Sequence, residues 1–596
     1  MANGGGSSSR FTRLLSSKLT ERNCLLLLLA LYIVLSVLIA SMLYLPESDL
    51  ADATTNVIWV EYYSEGVYSV PYADWTHGMT QSVVVQHNGA YTVVNEKGPG
   101  HAMMIVPFHV LGIEFLFGPV MAAFAVFSTY MLGKRLLDWK AGFLGAVLIL
   151  TNVTVLVMWY RYYWTDASTM HTLILSVWLL VEANYWFNGK SLDAKKAQSA
   201  TTRQKLFAAG LGALSGLAFG ASVSTRYATA LILVALLFYL AAFYLIRSWP
   251  HLKKREILKA LKETRGFWAL LAVFLLGLLC VMVPLMKYNS DYFGGPFGSG
   301  YDETLLMHFN ATRGLSPRNT SSTWSSGFPS SLLTAFGNFL TVLPVLIARV
   351  PAMLILPVGI WVLRKRPLLL TFLLIWIVIN LATYLSLAWT DMYADIPQGV
   401  MHEPRYFLSS LPPMAIIAGA GIMGFARWAV RKTAPEGLDP DTKKVRKAFV
   451  ACVVIGILVL SGLVPAANYF ATMKYGGALL PGPGGQPPPP QQPFTVTTDQ
   501  LADNPYAYNG SIVRVFNANV LSLNVNIVRI VSPGSIKVNG IIVRLDYFPP
   551  GQLPQVHVGD RVEVTGHFVA RLLPSQQVDT FIGIRYGTPD LFRILP

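Results

Sequence analysis

Long apolar runs bounded by basic or turn-forming residues set the pattern of this chain, and their lengths predict its organisation. A helix rising about 1.5 Å per residue needs roughly 20 apolar residues to cross a hydrocarbon layer. Runs of that kind fall at 24–44, 115–132, 141–160, 168–187, 206–223, 226–246, 267–286, 343–363, 367–388, 406–426 and 448–470, which predicts a polytopic α-helical membrane protein of about eleven crossings. Two apolar stretches, 102–132 and 331–363, are too long for one untilted span and too short for two with a turn. Lys134-Arg135 and Arg364-Lys365-Arg366 belong on the cytoplasmic side under the positive-inside rule, so each stretch holds one crossing. The leftover pieces, 102–114 and 331–342, read as helices lying in the outer interface.

With the N-terminus inside, the cytoplasmic segments collect 29 of the 46 lysines and arginines, which fixes the orientation. The same asymmetry accounts for most of the net charge of +15, and no loop interleaves aromatics with base-reading residues, so no nucleic-acid partner is expected. With 53% hydrophobic and 13% charged residues, the composition excludes an ordinary soluble enzyme. Residues 1–23 form a basic, disordered cytoplasmic N-terminus, and the 24–44 span is read as a retained signal anchor. Cys24, Cys280 and Cys452 all fall inside predicted spans as small apolar residues, leaving no disulfide framework.

The polar residues that carry chemistry lie in outer segments. The first loop, 45–103, holds seven carboxylates and one base, Lys97; others are the turn Arg161 to His171, the loop 287–342 and the loop 389–405. Asp52 precedes a stretch of helical apolar spacing that ends at Glu65-Gly66, so it lies near a helix N-terminus, where it serves as a cap or as a general base toward an acceptor hydroxyl. Asn95-Glu96-Lys97-Gly98-Pro99-Gly100-His101 is a tight turn entering the membrane, with Lys97 placed to hold a phosphate or to snorkel beside Glu96.

The order of these features resembles the GT-C superfamily of polyprenyl-phosphate-sugar-dependent glycosyltransferases over residues 20–425. Asp52, Glu65-Gly66 and Glu96-Lys97-Gly98-Pro99 are similar to the first outer loop of protein O-mannosyltransferases and lipid A aminoarabinose transferases. Further matches are Arg161-Tyr162-Tyr163-Trp164-Thr165-Asp166, Ser224-Thr225-Arg226-Tyr227, and His402-Glu403-Pro404-Arg405-Tyr406-Phe407-Leu408 followed by Leu411-Pro412-Pro413. Ala53 stands where protein O-mannosyltransferases have a glutamate, and Gly98 replaces the first proline of the aminoarabinose branch's Glu-Lys-Pro-Pro.

The resemblance implies that Asp52 is the catalytic base and that Lys97 binds donor phosphate, with Glu96 linked to a metal. Departure of a polyprenyl phosphate develops negative charge, for which Lys97, Arg161, Arg226 and Arg405 are the candidate cations. Arg161 and Arg226 have an equal alternative in pairing with lipid headgroups or a neighbouring acid. Asp166, His402 and Glu403 are supporting or metal candidates, Asp166 being also a helix cap. His101, His171 and His308 could join carboxylates around a divalent ion, but their spacing is not diagnostic and the metal stays open.

Residues 471–494 are a Pro/Gly-rich linker, and from 495 to 596 short β-rich runs at 511–520, 524–531, 536–545, 561–569 and 580–585 predict a small all-β barrel outside the membrane, similar to OB-fold domains. Asn310, Asn319 and Asn509 head glycosylation sequons on the outer side. The expected activity is inverting transfer of a sugar from a polyprenyl-phosphate donor to a protein, lipid or glycan acceptor at the outer face of the cell membrane. A multi-span transporter and a membrane-anchored binding protein acting through its β domain are the alternatives.

Overall fold

The computed structural model describes residues 20–41, 51–74, 82–194, 200–298, 350–385, 404–433 and 440–458, with shorter segments within 307–347 and 462–595. Its helices are α1 (Glu21–Ala40), α2 (Ala51–Ser64), α3 (Gly100–Val110), α4 (Phe117–Leu136), α5 (Trp139–Leu150), α6 (Val153–Tyr160), α7 (Asp166–Phe187), α8 (Thr202–Thr225), α9 (Leu233–Lys253), α10 (Ile257–Phe293), α11 (Leu356–Leu363), α12 (Pro367–Leu385), α13 (Leu411–Thr433) and α14 (Pro440–Leu458). Seven helical stretches among the described residues are long and apolar enough to cross a membrane, or eight if one bent pair counts as a span. This is a multi-pass helical membrane protein.

The differences from eleven uniform spans have local causes. The run 141–160 breaks into α5 and α6, bent by 56°, because the Asn152 side chain accepts from the Thr154 and Val155 backbone amides and starts a new helix. The run 168–187 is helical, as expected, but α7 is buried on nearly every side and carries polar residues. Several of those groups are met by protein: Glu182 takes a two-pronged bond from Arg135 at 2.6 and 2.7 Å, and the Ser176 hydroxyl lies 3.2 Å from that of Ser215, whereas the buried His171 ring has no hydrogen-bond partner among the described residues. In the 343–363 run a 3-10 turn, Pro351–Ile355, leads into α11, and α14 starts at Pro440, ahead of the expected 448. The expected interfacial helix at 102–114 is α3; most of 331–342 lies outside the described residues. Cys24 is buried, whereas Cys280 is exposed on α10.

Helices approach closely where glycine removes the side chain. A Cβ at Gly216 of α8 would lie 1.9 Å from the Phe274 carbonyl oxygen, and one at Gly277 of α10 would lie 1.9 Å from that of Ala213. One end of the bundle gathers four ion pairs: Glu21 with Lys134, Arg135 with Glu182, Arg247 with Glu263, and Arg427 with Asp138. These are the segments the sequence assigns to the cytoplasm.

The other end carries a sheet that periodicity had left unread. Strands β1 (Val70–Pro71), β2 (Ser82–His87), β3 (Ala90–Asn95), β4 (Met307–Asn310) and β5 (Gly314–Pro317) pair in the order β1-β3-β2-β4-β5. The β2–β3 hairpin turns on Asn88-Gly89, both with positive φ. Because β4 joins at Val84↔Met307, the first outer loop and the loop after α10 share one sheet. Val83, Val85 and Val94 on one face pack against Tyr288 and Phe293 of α10, while Val84 and Val93 face the main core with Trp59.

The tail contains β6 (Phe494–Val496), β7 (Ile512–Asn524), β8 (Ile527–Val531), β9 (Ile541–Arg544), β10 (Arg561–Leu572), β11 (Val578–Gly583) and β12 (Phe592–Leu595). Ladders β7–β8–β9–β11–β10 close when β10 pairs back onto β7, with β9–β11 the parallel contact in that ring. Val515, Val520, Ile530, Val543, Val562 and Val564 fill the interior.

Candidate active site

At the end opposite those four ion pairs, three of the sequence motifs meet directly. The turn after β3 lies flat on the end of α8: a Cβ at Gly100 would sit 2.3 Å from the Ser224 carbonyl oxygen, and one at Gly98, where φ is +80°, would sit 2.7 Å from the Tyr227 hydroxyl. Only glycine lets Glu96-Lys97-Gly98-Pro99-Gly100 approach Ser224-Thr225-Arg226-Tyr227 so closely. Tyr227 in turn donates to Asn289 of α10 at 3.1 Å.

The third motif enters through α7. His101 Nδ1 meets the Ser168 hydroxyl at 2.7 Å, and the imidazole lies edge-on to Phe117 with centroids 5.8 Å apart. Burial pushes the His101 pKa down to about 4, so the ring is neutral at physiological pH. Thr169 and Thr225 share a hydroxyl contact of 2.8 Å, and Ser222 donates to the Thr169 carbonyl at 2.8 Å, holding α7 and α8 in register.

Asp166 and Arg226 form a buried ion pair, in which Nη2 donates to Oδ2 at 2.8 Å and Nε lies 2.7 Å from Oδ1. Asp166 therefore stands in the first turn of α7 as a carboxylate partner; its neighbour Thr165 occupies the cap position without a side-chain cap bond. The structure pairs Arg226 with a neighbouring acid, one of the alternatives open to it, and gives Asp166 the part of a residue that supports that guanidinium. Arg226 also lies over the Tyr406 ring at 4.8 Å, and Tyr406 stacks on Tyr384 at 5.4 Å.

Arg161 is half-buried, its guanidinium 4.9 Å from the Trp164 ring. Lys97 is half-buried beside buried Glu96, and its backbone amide is fixed by the Asn95 side chain at 3.0 Å. Asp52 occupies the first turn of α2, as expected, and α2 ends at Glu65-Gly66 with Val67 N–H bonded to the Tyr62 carbonyl and Gly66 N–H to that of Tyr63. Arg405 lies in the 3-10 turn Pro404–Ser410. The side chains of Asp52 and Arg405 lie outside the described residues, as do His402 and Glu403 entirely. Among the described residues no three His, Cys, Asp or Glu side chains are grouped to hold a metal ion.

Sequence reasoning gave no role to Asn56, Ser168 and Tyr384 in this region, and named Tyr406 only as part of the 402–408 motif. Ser82-Val83-Val84-Val85-Gln86 followed by Asn88-Gly89 was the available signal for the hairpin.

No protein-family model and no curated protein matches the chain. Among solved structures it is similar to ArnT from Cupriavidus metallidurans, in the apo state at TM-score 0.36 and 13% identity and bound to undecaprenyl phosphate at 0.35 and 13%, each covering 76% of this chain and 72% of that one. It is also similar to the apo oligosaccharyltransferase from Archaeoglobus fulgidus, at TM-score 0.41 and 11% identity, over 80% of this chain and 62% of that one.

Proposed function

We propose that this chain is an integral-membrane glycosyltransferase of the GT-C type that moves a sugar from a polyprenyl-phosphate donor to a protein, lipid or glycan acceptor at the outer face. The observation that carries the reading is the convergence at one bundle end of motifs separated by more than three hundred residues: Glu96–His101, Arg161–Ser168, Ser224–Tyr227 and Tyr406. They include residues of the motifs in which the sequence resembles that superfamily: Glu96–Pro99, Arg161–Asp166, Ser224–Tyr227 and His402–Leu408.

The chemistry asked of the site is one displacement. An acceptor oxygen attacks the anomeric carbon, the bond from that carbon to the donor phosphate oxygen breaks, and its electron pair stays on the departing polyprenyl phosphate. Asp52 takes the acceptor's proton, and Lys97 and Arg405, with Arg161 in support, offset the phosphate charge. A neutral His101 beside Lys97 adds no competing positive charge. Inversion at the anomeric carbon follows from direct attack.

The bend between α5 and α6 is a feature that favours a transporter, since broken helices line many transport pathways. Here the new helix end is satisfied locally by Asn152, and Thr151 and Asn152 are buried, which supports a packed joint over an ion site. The tail strands, in the order expected of an OB-type barrel, support a glycan- or protein-contacting accessory domain.

The test is release of free polyprenyl phosphate from a panel of polyprenyl-phosphate sugars by purified protein in liposomes. Release by the wild type that Asp52→Asn abolishes, with folding intact, supports enzyme and base together; release that survives the substitution removes Asp52 from the mechanism. No release with any donor removes the glycosyltransferase reading.

A further inference from the structure

The Asp166–Arg226 pair sits where the site needs a cation, yet its geometry is that of a clamp. Its carboxylate comes from the start of α7 and its guanidinium from the end of α8. That guanidinium lies over the Tyr406 ring, from the turn entering α13, and Tyr406 stacks on Tyr384 at the end of α12. Four elements thus meet on one side chain. The rest of the turn is anchored separately: Phe407, Leu408, Ser409 and Ser410 are buried, and Ser410 donates to Asn380 at 2.6 Å.

We infer that Asp166, Arg226 and Tyr406 form a positioning relay that sets the backbone of Arg405, and that Arg226 is not itself a donor ligand. This rests on the glycosyltransferase reading only in assigning Arg405 to the donor phosphate. Arginine suits the task because its planar fork satisfies a carboxylate with its edge while its face stacks on an aromatic ring, which an ammonium cannot do. The buried carboxylate needs the arginine to compensate its charge, so the clamp is held from both sides. Fixing Tyr406 then fixes the peptide bond it shares with Arg405, leaving the arginine only its own side-chain rotations.

Hydrogen exchange over residues 404–411, read by mass spectrometry on the full-length protein in detergent, tests this without any donor. Arg226→Lys, which keeps the charge and loses the fork, and Tyr406→Leu, which removes the stacked ring, are each expected to speed exchange there by about tenfold, with α7 and α8 unchanged and the double variant no faster than either single one. Tyr406→Phe, which keeps the ring, is expected to preserve wild-type protection. In the release assay the two disrupting variants should lose kcat/KM by a similar factor, on the order of a hundredfold, and non-additively. Unchanged exchange in Arg226→Lys overturns the relay, as does additive loss in the double variant; a raised donor KM with unchanged exchange makes Arg226 a direct phosphate ligand. Should Arg226→Lys unfold the protein, Tyr406→Leu tests the same contact from the other side. Absence of release by the wild type counts against the glycosyltransferase reading alone, because the exchange result does not depend on turnover.

Discussion

Asn56 of α2 donates its side-chain amide to the carbonyl of Tyr163, at 2.8 Å, tying the helix that carries Asp52 to the turn that carries Arg161 and Asp166. Asp52 lies one helical turn before Asn56, so this single bond sets the phase of α2 against the α6–α7 connection.

Asn56→Ala is expected to lower both stability and turnover. It strands a buried carbonyl at a cost of about 1–3 kcal/mol, and the α2 rotation it permits should reduce kcat more than it raises KM. Thermal unfolding in detergent and release kinetics separate the two effects. An unchanged kcat would show that α2 is held by its apolar contacts alone.

His101 gives the protein an acid limit. Its folded pKa of about 4 lies below the ordinary value of 6.5. The unfolded state therefore takes up a proton first, so the stability this neutral ring contributes is fully present above pH 6.5 and is lost as pH falls toward 4. The loss is on the order of 3 kcal/mol from this group. Midpoints of unfolding measured from pH 7.5 to 4 should fall less steeply in His101→Gln than in the wild type; parallel curves would place the acid sensitivity elsewhere.

Gly100→Ala should be far more damaging than Gly112→Ala. The first puts a methyl group on the Ser224 carbonyl, while at Gly112, with φ +67°, nothing lies within 4 Å. Gly112→Ala therefore pays only left-handed backbone strain, about 1–2 kcal/mol. Gly100→Ala must push the Glu96–His101 turn off α8, with activity falling on the order of a hundredfold. Equal activities would mean that the turn is free to shift.

At the other end of the bundle, Arg135→Ala is expected to destabilise without altering the chemistry. It leaves Glu182 uncompensated in a buried setting, a loss of about 3–5 kcal/mol, while kcat and KM of the folded fraction stay at wild-type values. A kinetic effect would reveal coupling between the two ends.

Deleting residues 480–596 should leave measurable polyprenyl phosphate release, because the motifs all lie before residue 414. Complete loss, in a truncated protein that retains the wild-type unfolding transition, would move the function to the β domain.

Much of the architecture was readable because hydrophobicity acts locally. The long apolar runs at 24–44, 206–223 and 226–246 became α1, α8 and α9 with small shifts of their ends, and the tail strands fell near the positions that turn residues marked. The exceptions show where local rules yield. α7 is a helix whose polar side chains set it apart from the long apolar helices, and in the bundle Arg135, Ser215 and Arg226 meet Glu182, Ser176 and Asp166. No periodicity announces such partners.

The sequence by itself determined a membrane-embedded helical protein with a separate β-rich tail, the end of the bundle to which charged loops go, and the order of motifs that brings Asp52, Lys97, Arg161 and Arg405 under suspicion. Only the tertiary structure decided that Arg226 belongs to Asp166, that Gly98 and Gly100 are small because α8 lies beneath them, and that two outer loops share one sheet. The division follows from range. Transfer of apolar side chains out of water is a property of each segment, whereas a buried ion pair or a methyl-sized clearance depends on how distant helices are set in register, which a linear pattern does not contain.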